Sequence, residues 1–276
     1  MASPNAISAQ RLFKLVGTPS APVVLNALPA ARLADAKRAI PASIFRPVED
    51  CARWAAEFRG RTVVAACADG IEFSPGVAAL LRHEGAEAEI LEGGIDGWIA
   101  EGYPTFDRHA LPARDEQGRT RWVTRARPKV DRIASPWLIR RFVDPAAVFL
   151  FVAGAEVAAT AERMKATPFD IEGTHFSHRG DRCTFDALLA DFGLDTPALQ
   201  RLATIVRGAD TDRLDLAPEA PGLLAMSLGL SRLYSDDLAQ LEAGMSLYDA
   251  LYRWARDASD ETHNWPSNKP TRKDRE

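Results

Sequence analysis

Three short apolar runs alternate with helical patterns in the first hundred residues, and that alternation limits the fold more than any other feature. "APVVLNAL" (21–28), "RTVVAAC" (61–67) and "AEAEILEGG" (86–94) are bounded by turn formers, as buried strands are. The spacing predicts helices over 49–59, 75–84 and 95–101 between and after them. Strands separated by helices pair in one sheet only through crossovers, which makes them parallel. An α/β fold follows, a parallel sheet with helices on both faces.

The chain has 276 residues. A single core rarely grows beyond ~250 residues, so two domains are expected. The segment 107–120 is charged and poor in apolar residues and reads as a linker between a domain at 1–106 and another at 121–256. In the second, "AVFLFVAG" (147–154) is the one clear strand. "ASPWLIRRFVDP" (134–145) reads as a short helix ended by Pro145, and further helices are predicted over 156–165, 184–192, 197–207, 218–230 and 236–256. Gly193 and Gly208 stand where helices are expected to end. This second domain is expected to be helix-rich α+β. The polar, charged stretch 257–276 is expected to be a disordered tail.

A formal net charge of -4 argues against general affinity for nucleic acid or anionic lipid. No apolar run approaches the ~20 residues that a bilayer requires. The N-terminus has no basic flank before an apolar core, and three widely spaced cysteines make no disulfide framework. Both features point to a reducing cytoplasm. Nothing in the sequence sets the oligomeric state.

Cys67 ends a strand, and a glycine-bearing loop and a helix start follow it. Converging loop amides and a helix dipole favour an anion and activate a thiol. Gly70 relieves crowding where the backbone curls, and Ser74 is placed to cap the helix ahead of Pro75. The alternative is an inert cysteine at a turn.

"VVAACADGIEFSPGVAALLRHEG" followed by "AEILEGGIDGW" resembles a rhodanese domain. Leu91, Gly93, Gly94 and Trp98 match that family's Leu-x-Gly-Gly-x-x-x-Trp, and "AIPASIF" (39–45) is similar to its Ile-Pro-Gly-Ala segment. The resemblance spans about residues 8 to 106. It implies that Cys67 is the catalytic residue, carrying a sulfane sulfur as a persulfide between a donor and an acceptor. It also implies an anion cradle from the amides of Ala68, Asp69, Gly70, Ile71, Glu72 and Phe73. This loop departs from the family in three ways. Asp69 and Glu72 stand where an arginine often helps hold the anionic donor, Ser74 comes one residue late, and "VLNALP" replaces the usual Asp-x-Arg.

Two chemical clusters mark the second half. "RWVTRARPKVDRIASPWLIRRF" gathers seven basic residues around Asp131; Arg125, Arg132, Arg140 and Arg141 are its candidate anion ligands. The other reading is a solvated face, with Asp131 or Asp144 as counter-charge to an inward guanidinium. "FDIEGTHFSHRGDRCTFD" places Asp170, Glu172, His175, His178 and Cys183 close together, and Asp210 in "RGADTDR" can join them. His175, His178, Cys183 and Asp210 are the candidate metal ligands, a set suited to zinc or iron. A hydrogen-bond network of the same groups is the other reading.

"RWVTRARPKVDRIASPWLIRRFVDP", "PFDIEGTHFSHRGDRCTFDALLADFGL" and "IVRGADT" resemble the C-terminal domain of ChrB, a chromate-resistance family, over about residues 120 to 254. Ser135 stands where family members often carry Cys, and His175 where they often carry Glu. The two resemblances together imply a sulfurtransferase-like protein of chromate resistance whose C-terminal domain binds an oxyanion or a metal. The alternative is a non-catalytic chromate or metal sensor on a degenerate rhodanese scaffold. A DNA-binding regulator ranks last, for want of a helix-turn-helix pattern.

Overall fold

The computed structural model describes residues 5–261. Most of the stretch expected to be a disordered tail, residues 262–276, lies outside them.

The elements of the first half are β1 (Ala6–Ile7), α1 (Ala9–Leu15), β2 (Val23–Leu28), α2 (Ala30–Asp35), β3 (Arg38–Ala39), β4 (Ile44–Pro47), α3 (Cys51–Trp54), β5 (Thr62–Ala66), α4 (Ser74–His83), β6 (Glu87–Leu91), α5 (Gly94–Ala100) and β7 (Phe106–Asp107). Five strands form one sheet in the order β1-β6-β5-β2-β4, and every pair in it is parallel. Strand side chains alternate between faces, and the two faces fill separate cores. Leu25, Ala27, Val63 and Ala65 pack with Val77 and Leu81 of α4 and with Trp54 and Phe58. Val24, Val64 and Ala66 face the other way, with Leu12 of α1 and Trp98 of α5. β3 and β7 form a separate antiparallel pair.

The expected helix over 49–59 is broken into two 3-10 turns around the single turn of α3. β4 was not expected. Its sequence, Ile-Phe-Arg-Pro, is half-buried throughout and shows no periodicity.

The second half contains β8 (Arg121–Arg125), α6 (Asp131–Leu138), β9 (Val148–Val152), α7 (Val157–Met164), β10 (Thr167–Pro168), α8 (Thr184–Phe192), α9 (Pro197–Asp210), α10 (Ala220–Leu233) and α11 (Asp237–Asp257). A three-stranded parallel sheet runs β10-β8-β9. Two of its strands were not expected, and the predicted one, β9, is an edge. α7 covers one face through Val157 and Ala161. The helices pack on the other face around α6, whose residues Ile133 to Leu138 are all buried.

Trp137 of α6 lies among Phe142, Phe185, Tyr248 and Tyr252, with ring centroids 5.5–6.4 Å apart. A π-turn at Ile139–Val143 follows α6. Gly193 ends α8 in the left-handed conformation, as expected. Gly208 does not end a helix. It lies inside α9, where a Cβ would meet Ala220 Cβ at 3.0 Å, so its smallness serves helix packing.

The two halves share one core. Gly17 presses on the Phe142 ring, Ala42 N–H donates to Phe142 O (2.7 Å), and Arg256 donates to the carbonyls of Val16 and Lys14. Between the halves, Asp115 accepts from Gln117 N, Arg119 N and the Arg119 and Arg121 guanidinium groups, which orders residues 115–121. No described helix is long and apolar enough to cross a membrane.

Candidate functional site

Cys67 follows β5 directly. Its buried side chain lies in an apolar niche with Leu28, Leu33, Phe45 and Phe73. The loop after it is locked to the start of α5. Ile95 N donates to Cys67 O and Asp96 N to Ala68 O, both at 2.9 Å. A Cβ on Gly94 would stand 2.4 Å from both of those carbonyls, and one on Gly70 2.6 Å from Leu91 O. Gly94 therefore has no room for a side chain because its backbone lies against the cysteine loop.

That loop already holds an anion, and the anion is its own. Asp69 Oδ1 accepts from Ile71 N (2.8 Å), Glu72 N (3.0 Å) and the Cys67 thiol (3.4 Å). The amide bonds from Glu72 and Ile71 hold the Asp69 carboxyl below the usual carboxylate range. Glu72 turns away and pairs with Arg32 at 2.7 Å. Ser74 does not cap α4. Phe73 is the N-cap residue, Ser74 is the first helical one, and its buried Oγ has no partner.

The second constellation joins residues 79 positions apart. Asp131 opens α6 and is fully buried. Its carboxylate accepts from the first two amides of α8, Thr184 N (2.6 Å) and Phe185 N (3.0 Å), and from Ser135 Oγ (3.0 Å). Asp170 follows β10 with a φ of 51° and accepts from Thr184 Oγ1. Asp210 is the last residue of α9, where the helix dipole disfavours a carboxylate.

His178 Nε2 points into the space between these groups. It lies 3.2 Å from Asp210 Oδ2, 3.4 Å from Asp170 Oδ1 and 3.7 Å from Asp131 Oδ2, and its side chain is 40% exposed. Val130, just before Asp131, has a φ of 34°. A β-branched residue is strained there, and such strain gathers at functional sites.

The electrostatics are crowded. Burial, and then the charges of Asp210 and Asp170, push the Asp131 carboxyl well above its ordinary range. Burial and Asp170 push Asp210 up as well. Arg132 Nε, 3.1 Å from Asp170 Oδ2, offsets part of this charge, and Arg125 stands 3.6 Å from the same oxygen. Tetrahedral ligands ~2.1 Å from a metal stand ~3.4 Å apart, which is the separation found around His178. One ligand atom each from Asp131, Asp170 and His178 falls within a 4.8 Å set. A cation there would relieve the repulsion that raises both carboxyls.

Of the four metal ligands read from the sequence, the structure brings His178 and Asp210 together. His175 goes elsewhere, 3.0 Å from Asp191 and edge-on to Phe176. Cys183 is buried and donates to Asp186 Oδ2 (3.4 Å); burial, then Asp131, raise its thiol well above the ordinary range. Asp131 was read only as a counter-charge to arginine. Its place at a helix start, with a serine one turn on, was the local signal for more. The four arginines do not form one anion site. Arg125 and Arg132 serve Asp170, Arg141 pairs with Asp249, and Arg140 pairs with Glu242 and covers the Phe149 ring.

Residues 122–255 match the family model described as ChrB, C-terminal domain. Protein ChrB of Cupriavidus metallidurans is 40% identical over 163 residues, covering 57% of this chain and 48% of that protein. The chain thus spans about half the length of the curated relative it matches. Among solved structures, a rhodanese-related protein from Thermoplasma volcanium is 28% identical, covers 37% of this chain and 96% of its own, and has a TM-score of 0.32. Thiosulfate sulfurtransferase from Pseudomonas aeruginosa is 23% identical, covers 39% of this chain and 20% of its own, and has a TM-score of 0.32.

Proposed function

We propose that this chain, which joins a rhodanese-like domain to a ChrB C-terminal domain, is a metal-binding protein of chromate resistance, with the ion held by Asp131, Asp170, His178 and Asp210. The observation that carries this reading is the convergence of three carboxylates on one imidazole nitrogen at 3.2–3.7 Å. Oxygen and nitrogen donors with no thiolate suit Mn²⁺, Fe²⁺ or Zn²⁺. Asp131, fixed by two helix amides, would orient the ion, and the half-exposed His178 would close over it. Arg132 and Arg125 keep positive charge beside the ion and favour an anionic ligand at its open side.

The test is titration of EDTA-treated full-length protein with Mn²⁺, Zn²⁺ and, without oxygen, Fe²⁺, followed by calorimetry and elemental analysis. One ion per chain is expected for at least one metal. Affinity should fall at least tenfold in His178→Ala and in Asp210→Asn and hold in His175→Ala. Absence of stoichiometric binding of all three metals refutes the reading.

Persulfide transfer at Cys67 is the second reading. The interlock of the cysteine loop with Gly94 favours it, and the carboxylate of Asp69 in the cradle opposes an anionic donor such as thiosulfate.

A further inference from the structure

β9 is the edge of its sheet, with β8 on one side only. Val148 N donates to Thr120 O and Ala126 N to Val152 O. Ladder bonds in a parallel pair use alternate residues, so Val148, Leu150 and Val152 face β8. The N–H and C=O groups of Phe149 and Phe151 therefore point outward. Among the described residues no other segment bonds to them.

Four main-chain groups on an apolar edge strand, Val-Phe-Leu-Phe-Val, form a pairing template. A cavity of about 490 Å³ runs along this edge. Thr160 and Met164 of α7 wall it on one side and the start of α11 on the other. Met164 and Leu238, on opposite walls, are each 49% exposed.

We propose that this slot takes an extended segment of a partner protein, which adds a strand to β9, has alternating apolar side chains and carries a Lys or Arg at its end beside Asp237. Charge selects this occupant. The charged residues lining the slot are Asp236 and Asp237, with no basic residue among the lining groups. Asp236 is engaged as the cap of α11. Asp237 Oδ2 accepts from Arg127 N, but its buried Oδ1 has no hydrogen-bond partner, with Arg127 Nη1 no closer than 3.9 Å. A second copy of β9, flanked by alanines and Pro145, would bring no cation to it. Main-chain pairing supplies affinity in such additions, and alternate side chains supply specificity.

The probe is a fluorescent, end-blocked peptide, Lys-Val-Thr-Val-Thr-Val-Lys, titrated into the full chain, with the same peptide carrying Glu at both ends as control. The Lys peptide should bind with submillimolar affinity and the Glu peptide at least tenfold more weakly. NMR should show slower amide exchange at Phe149 and Phe151 in the complex. Phe151→Pro removes one outward N–H and no ladder bond, and should weaken binding at least tenfold. Asp237→Asn, which keeps an acceptor for Arg127 N, should erase the preference for Lys over Glu. Equal binding of both peptides, no binding of either, or unchanged binding in Phe151→Pro overturns the proposal. So does a solution dimer that Phe151→Pro dissociates, which would make a second copy the occupant.

Discussion

Asp69 Oδ1 stands 3.4 Å from the sulfur of Cys67 and takes two loop amides at 2.8 and 3.0 Å, so the anion beside the thiol is the loop's own carboxylate. Thiosulfate transfer requires the thiolate to attack the outer sulfur while sulfite leaves with the bonding electrons. On the persulfide reading proposed above, Asp69 occupies the amides that would take an anionic donor and repels it. Asp69→Ala should therefore take up one sulfur from thiosulfate at least tenfold faster than the unaltered chain, read by intact mass. Cys67→Ser in the same background should take up none. Equal rates with and without Asp69 would show that the carboxylate does not guard the site.

The loop's geometry depends on glycine at one position above all. At Gly94, with a φ of 61°, a Cβ would lie 2.4 Å from Cys67 O, Ala68 O and Gly70 N, and backbone atoms cannot yield as side chains do. Gly94→Ala should lower stability by about 3 kcal/mol or more in denaturant unfolding. Gly76, inside α4, has nothing within 4 Å of its would-be Cβ. Gly76→Ala should raise stability by roughly 0.5–1 kcal/mol, as removing an exposed helical glycine does. A mild effect at Gly94 would mean that the loop and α5 are not tightly apposed.

These contrasts show what the sequence reveals and what it hides. Val63 and Val64 announce β5 because a strand buried on both faces is apolar at every position, and α8 was legible because its apolar spacing and Gly193 agree. β8 was hidden: Arg121 and Arg125 bracket its buried Trp122 and Val123, so it was read as part of a basic cluster. Asp170, His178 and Asp210 were visible as residue types in two neighbouring motifs. That Asp131 joins them was not, because it reaches the site through the packing of α6 against α8 and α9; its helix-start position with Ser135 one turn on marks a buried carboxylate but not its partners. His175 illustrates the converse: three residues from His178 in sequence, it is turned toward Asp191 instead.

Asp249 shows that Arg141 has a structural task. It accepts from Trp137 Nε1 and from both Nε and Nη2 of Arg141, each at 2.8 Å. Asp249→Ala would strand a partly buried guanidinium and a fully buried indole N–H, at a cost of about 3–5 kcal/mol. Arg141→Ala should cost less, since Trp137 keeps its acceptor. The double substitution should cost clearly less than the sum of the two, because the pair acts as one unit. Additivity within about 0.5 kcal/mol would leave Arg141 free for an anion.

Acidity separates the metal-free protein from the metal-bound one. Asp131 and Asp210 have folded-state pKa values raised above the unfolded value, Asp131 by burial and by Asp210 and Asp170, Asp210 by burial and by Asp170. The unfolded carboxyls titrate near ~3.9. Above that pH the unfolded chain releases these protons while the folded chain retains them. Stability contributed by the protonated pair is thus complete below the unfolded value and is lost as pH rises through the folded ones. EDTA-treated protein should melt at progressively lower temperature from acid toward neutral pH, with a shallower slope in Asp210→Asn, where one of the two repelling carboxyls is gone. A bound cation reverses the trend, because it competes with those protons and its grip strengthens as they leave. Saturation at a hundredfold excess over the dissociation constant contributes about 2.7 kcal/mol, a rise in Tm on the order of 5 °C for a chain of this size. Parallel thermal melts with EDTA and with Mn²⁺ or Zn²⁺ across this pH range measure both slopes. A metal-induced rise that shrinks with increasing pH would place the ion somewhere other than among these carboxylates.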